Sequence, residues 1–155
     1  DQAEVPKGYD FQMNVVKNNY HYGVFHIPFQ SFARLCMSAS FLGVVNCLIK
    51  HCLSDLRKPA VIAIIEKELK PLIQSTEENL YALAETTEEL SLKNEITEKD
   101  ALKIRTLLGE RHLKIFDQIQ SLFLAGGLPF IEEDNMIHWA YRDVLTAVQH
   151  FMVKP

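Results

Sequence analysis

The sequence predicts an all-α chain: an antiparallel four-helix bundle with a short N-terminal β or irregular segment. Three observations carry that expectation. Apolar residues recur at three- and four-residue steps through three long stretches and lie almost all round a fourth. Helix-start signals stand at Lys58-Pro59, at Thr97-Glu98-Lys99-Asp100 and at Asp134-Asn135. The connections are of moderate length, which favours a bundle. No internal repeat of fixed period is present.

Size and composition agree with this reading. The 155 residues are 48% hydrophobic and 23% charged, which suits a globular domain and excludes disorder, collagen and coiled fibres. A chain of this length buries about 68–70% of its unfolded surface, enough for one core without disulfides or metal. Sixteen basic residues against twenty acids give a net charge of -4, the wrong sign for tracking phosphates, so nucleic acid is not an expected partner. Cys36, Cys47 and Cys52 are odd in number, lack CxxC spacing and lie in or beside one apolar segment, which predicts reduced thiols and a cytoplasmic chain. Residues 1–10 carry acids and a proline, not the basic and apolar run of a signal peptide, so the chain reads as beginning mid-protein.

Residues 1–28 differ from the rest. Gly8, Asn14, Asn18, Asn19 and Gly23 punctuate aromatic and β-branched pieces such as Tyr22-Gly23-Val24-Phe25, which are strand and turn signals. Too few strands are present for a sheet of their own, so this extended segment is expected to pack on something else. Pro28 marks a break, and the helical part, residues 29–155, follows. Ser31 to Leu53 has only Arg34, Lys50 and His51 as basic or titratable groups besides its cysteines and is apolar almost all round. Such a helix is buried on more than one side, either centrally or in a subunit contact. Its uncharged stretch, Leu35 to Ile49, is shorter than the roughly 20 apolar residues of a membrane span, and no membrane is expected.

Pro59 opens the second helix at a position where its missing N–H costs nothing, and Ile62, Ile65, Leu69, Leu72, Ile73, Leu80 and Leu83 give its apolar face. Pro71 predicts a kink one turn earlier. Residues 76–100 hold eight acids against Lys93 and Lys99, which reads as a solvated helix end and an exposed connection, or as an acidic docking surface. Thr97 and Asp100 form a capping box for the third helix. Ala101, Leu108, Ile115 and Leu122 recur every seven residues in it, with Ile104, His112 and Ile119 between them, until Ala125-Gly126-Gly127 stops it. Asp134 or Asn135 caps the fourth, whose apolar stripe is Ile137, Ala140, Tyr141, Val144, Val148 and Phe151.

Metal chemistry finds little footing. A di-iron bundle needs Glu-x-x-His pairs, but Asn135 stands three residues before His138 and Gly109 before His112. Cys47 and His51 share a helix face at i, i+4, yet a structural zinc site needs four ligands and no second pair is evident; a buried thiol and a core or rim histidine are expected instead. Gly126-Gly127 is first a helix stop, though paired glycines also let a ligand approach the backbone and leave N–H groups for an anion. In the last helix Trp139, Asp143, Thr146 and His150 fall at i, i+4, i+7 and i+11, a second, polar face. It is a solvated face or a wall for a flat ligand. His150 lies near a helix C-terminus, where the dipole favours the imidazolium.

Arg142-Asp143-Val144-Leu145-Thr146-Ala147-Val148-Gln149-His150, preceded by Gly126-Gly127-Leu128-Pro129-Phe130 and an acidic turn, resembles the final helices of the acyl-CoA dehydrogenase superfamily. Ile27-Pro28-Phe29 before an apolar helix containing Gly43 is similar to the entry into the same C-terminal domain. The resemblance covers nearly the whole chain. It implies a C-terminal bundle preceded by the remnant of a β-domain, which contributes to FAD or FMN binding and to assembly as a homodimer or homotetramer. It further implies that Gly126 and Gly127 approach the flavin's phosphate or adenosine part, and that Trp139, Thr146 and Arg57 contribute cofactor contacts. His150 matches the histidine that the two-component flavin monooxygenase branch carries near the flavin's reactive edge. A flavin reductase or electron-transfer protein is the implied redox partner.

The departures are specific. Phe151 stands where dehydrogenases of this superfamily often carry the base, and Ser31 to Leu53 contains no acid at the alternative location. Arg57, followed by Lys58, Pro59 and Ala60, only partly echoes the family's Arg-x-x-Phe flavin contact. Chemistry is therefore expected to need the domains outside this chain. The competing expectation is a non-enzymatic helical bundle that self-associates through the Ser31 to Leu53 helix.

Overall fold

The computed structural model describes residues 27–93 and 95–150, and these are all-helical. The strand and turn signals of residues 1–26, and Phe151, lie outside the described residues. Helix α1, Phe29–Asp55, follows Pro28. Helix α2, Pro59–Ile64, runs through a π-helical turn, Ile65–Leu69, into α3, Lys70–Leu92. Helix α4 is Glu98–Gly126, a 3₁₀ turn covers Leu128–Phe130, and α5 is Met136–Gln149.

The local chemistry explains most boundaries. Pro59 occupies the first turn of α2, where a missing N–H costs nothing. Pro71 lacks the N–H that would serve the carbonyl of Lys67, and its ring would press on that carbonyl in a regular α-helix. The chain answers with the wider turn just before it, in which the Lys70 N–H reaches back to the Ile65 carbonyl. The expected departure from α geometry thus falls one turn before Pro71 and takes the form of a π turn. The capping box of α4 is complete: the Thr97 N–H donates to Asp100 Oδ2 at 2.9 Å, and Asp100 N–H donates to Thr97 Oγ1 at 3.4 Å. For α5 the cap is Asn135, whose Oδ1 accepts the Ile137 N–H at 3.0 Å.

Side-chain meetings set the directions. Asn46 reaches Glu77 at 3.4 Å while Cys36 and Ala39 meet Tyr81 and Ala84, so α1 and α3 are antiparallel. Arg34 meets Arg105 and Phe41 meets His112, so α1 and α4 run the same way. Arg111 donates to Ser75 Oγ at 2.8 Å, which sets α3 against α4 in the opposite sense. Helix α1 packs most extensively on α5 and also touches α3 and α4. The core is one cluster, with Phe41, Val45 and Leu48 of α1, Ile65 and Leu69, Ile115, Ile119 and Leu122 of α4, and Ile137 and Val144 of α5.

Helix α1 is central, as its all-round apolar character predicts, but not enclosed. Phe32, Cys36, Ala39, Ser40, Gly43, Asn46, Cys47 and Lys50 form an exposed strip along it. Cys47 is exposed and His51 half-buried, which corrects the expectation of a buried thiol there; the buried thiol is Cys52. Helix α1 is also, among the described residues, the one helix long and apolar enough to cross a membrane by length and composition. His112 is fully buried, its ring 4.8 Å from that of Phe41, while Ser38 Oγ is buried without a hydrogen-bond partner among the described residues.

Candidate functional site

Helix α5 turns Ile137, Ala140, Val144 and Val148 into the core, and the 3.6-residue period sends the intervening polar positions outward. Trp139 is 50% exposed, and Asp143, Thr146 and His150 are exposed too. Two neighbours contact the indole: the Arg142 guanidinium lies 5.1 Å from its ring centre and the His138 ring meets it edge-on at 5.9 Å. His138 is itself placed by Nδ1 at 2.9 Å from the Phe130 carbonyl oxygen. Thr146 Oγ1 donates back to the Arg142 carbonyl at 3.0 Å, a bond that the hydroxyl makes within its own helix. His150 is the C-cap of α5, and its N–H donates to the Ala147 carbonyl at 3.1 Å. Eleven residues separate Trp139 from His150, about 16 Å along the axis at 1.5 Å per residue, so one ligand would meet both only if it were long.

The other predicted residues gather elsewhere, at the end where α4 stops. Gly126 is buried, and a Cβ there would collide with the Phe130 ring and stand 3.3 Å from Leu56 Cδ1. Its glycine therefore permits close packing of the 3₁₀ turn under α4. The Gly126 carbonyl accepts a hydrogen bond from Lys58 Nζ at 2.7 Å, a cation placed at the negative end of the helix dipole. Gly127 has φ +75° and ψ -137°, a conformation open in practice only to glycine. Arg57 is exposed with φ +45°, the left-handed region for a non-glycine residue. Arg57 thus borders, through its neighbour Lys58, on the glycine pair, and Trp139 lies one turn into the helix that starts beside it. His150 lies at the far end of α5.

Lys58 has no functional role in the sequence reading; its only local signal is a lysine just before a helix-opening proline. The described residues do not enclose a flavin ring by themselves. Trp139 is half-exposed, the Thr146 hydroxyl is engaged, and the space at Gly126 is filled. They present an exposed face of α5 and a basic corner at Arg57 and Lys58. Among the described residues no group of three His, Cys, Asp or Glu side chains comes together. Among the described residues the hollows include an apolar groove of about 620 Å³ between α1 and α3, a polar one of about 460 Å³ at the start of α5, lined by Glu132, Glu133, Asp134 and Asn135, and a pocket of about 180 Å³ between the starts of α1 and α4.

No protein-family model, no curated protein and no solved structure matches this chain.

Proposed function

We propose that this chain is the C-terminal helical domain, an antiparallel four-helix bundle, of an acyl-CoA dehydrogenase-like flavoprotein oxidoreductase, nearer the two-component monooxygenase branch than the true dehydrogenases. Its part is to lend one wall to a flavin site and a surface to assembly, with the rest of the site coming from domains or a subunit outside it. The observation that carries this reading is the outer side of α5, where Trp139, braced by Arg142 and His138, shares an exposed strip with Asp143, Thr146 and His150. A half-exposed, doubly braced indole is the kind of surface that a flat partner covers at low entropic cost. Arg57 and Lys58 beside Gly127 support an anionic part of the ligand at the other end of the wall.

The test is reconstitution of the full-length gene product with FAD and with FMN. Visible flavin absorbance that survives gel filtration is expected. His150→Ala should then lower oxygen-dependent turnover at least tenfold at an unchanged melting temperature. Absence of bound flavin, or full activity in His150→Ala, would remove the reading's support.

A second reading, a non-enzymatic bundle that self-associates through α1, is favoured by the exposed strip from Phe32 to Cys47, which carries no charge.

A further inference from the structure

On the open side of α1, Cys36, Ser40, Gly43 and Cys47 are all exposed and follow one another at steps of four, three and four residues, the spacing of a two-helix seam. The steps are the same from either end and every member is small. A copy of this helix laid antiparallel on it therefore meets its own pattern at close approach. The polar groups of the strip are already served: Ser40 Oγ donates to the Cys36 carbonyl at 3.0 Å and Asn46 Nδ2 to Glu77 Oε1 at 3.4 Å, so covering them strands neither. Charge is uneven along the strip. Its one charged side chain, Lys50, is exposed toward the C-terminal end of α1. Toward the N-terminal end, α3 brings Glu85 and Glu88 to the apolar groove of about 620 Å³ that Phe32, Cys36 and Ala39 share with Tyr81. Among the described residues none of these three charges is in an ion pair.

We propose that a second copy of this chain docks antiparallel on α1, with Cys36 of each helix facing Cys47 of the other and Lys50 of each copy beside Glu85 and Glu88 of its partner. In this register Lys50 stands level with residue 33 of the facing helix, which is where the two glutamates lie against α1. Charge decides the direction. A parallel pair would set Lys50 against Lys50 and the glutamates against themselves, whereas the antiparallel pair brings opposite charges together at both ends. This pairing rests on the reading that α1 mediates self-association and adds to it a direction and a register.

The experiment is oxidation of the full chain with diamide, which takes two electrons and two protons from a pair of thiols as the disulfide forms, read by non-reducing electrophoresis alongside sedimentation at the same micromolar concentration. Cys52 is buried and does not compete. The parent is expected to cross-link as a dimer. Cys36→Ser and Cys47→Ser should each lose the cross-link, because in this register like cysteines stand 11 residues apart, about 16 Å and beyond the reach of a disulfide. A mixture of the two variants, allowed to exchange subunits, should regain it. Lys50→Glu should weaken the dimer at least tenfold, and Lys50→Glu combined with Glu85→Lys and Glu88→Lys should restore it. A dimer in which either serine variant still cross-links, one that does not cross-link at all, or one indifferent to Lys50→Glu would overturn the pairing while self-association stands. A parent that sediments as a monomer would overturn both and leave the strip to another occupant.

Discussion

At Gly126 a single methyl decides packing. The Phe130 ring occupies the place of a Cβ, and Leu56 closes the other side, so neither the 3₁₀ turn nor α1 can yield without opening the core. Overpacking of this kind costs about 1–3 kcal/mol. Gly126→Ala is therefore expected to lower the urea midpoint accordingly at an unchanged m-value. Cys52 is a second residue with a definite consequence. Burial, and secondarily the charge of Asp55, push its thiol from 9.0 up to about 12. In native protein Cys36 and Cys47 should react with a thiol reagent while Cys52 waits for unfolding. The sign with pH follows from linkage: the folded value is raised, so the stabilisation is complete below about pH 9 and is lost as pH rises from there toward 12, where the unfolded thiol ionises and the folded one does not. Urea midpoints of the parent should fall faster between pH 8.5 and about 10.5 than those of Cys52→Ala, because only the parent carries the shifted thiol; parallel curves would contradict the shift.

Elements were legible where both partners of an interaction lie within a few residues. The capping box at Thr97 and Asp100, the proline opening α2, the Asn135 cap and the glycine stop of α4 are all local, and each stands where its residues predict. The Thr97 hydroxyl and N–H hold the Asp100 carboxyl below the usual range, so this contribution is present above the ordinary carboxylate value and lost as pH falls through the lowered one. Thr97→Ala should lower the melting temperature by a few degrees, and the part that comes from the hydroxyl's bond to the Asp100 carboxylate should vanish in acid while the part from the Asp100 N–H persists. Interactions across the fold left no such trace. Lys58 finds the Gly126 carbonyl 68 residues away, and Arg34 meets Arg105 only because α1 and α4 run in the same direction. Spacing placed Trp139, Asp143, Thr146 and His150 on one side of α5 but did not tell whether that side faces a hollow. Likewise Cys47 reads as buried because no charge marks the outer strip of α1, and it is exposed.

On the scale of the whole molecule, the unusual surface is the outer strip of α1. Soluble chains seldom leave a central helix uncharged toward water along several turns unless something covers it. The strip from Phe32 to Cys47 spans about 22 Å at 1.5 Å per residue. Small side chains line its middle, so another backbone can come close. Gly43 gives a clean way to ask whether a second copy does so. A Cβ there meets nothing within 4 Å, and the residue lies mid-helix without positive φ. Gly43→Arg should therefore leave the fold intact and even raise its stability by roughly 0.5–1 kcal/mol, since glycine is a poor helix former. The same side chain, projecting from the centre of the strip, would hold a second helix away and place a charge in the contact. Sedimentation of the parent chain at micromolar concentration is expected to give a dimer or tetramer, and Gly43→Arg a monomer that melts at or above the parent's monomer-limit temperature. A parent that sediments as a monomer, or an assembly indifferent to Gly43→Arg, would place the contact elsewhere or remove it. Because fold and association move in opposite directions in this one variant, a loss of assembly cannot be mistaken for a loss of structure.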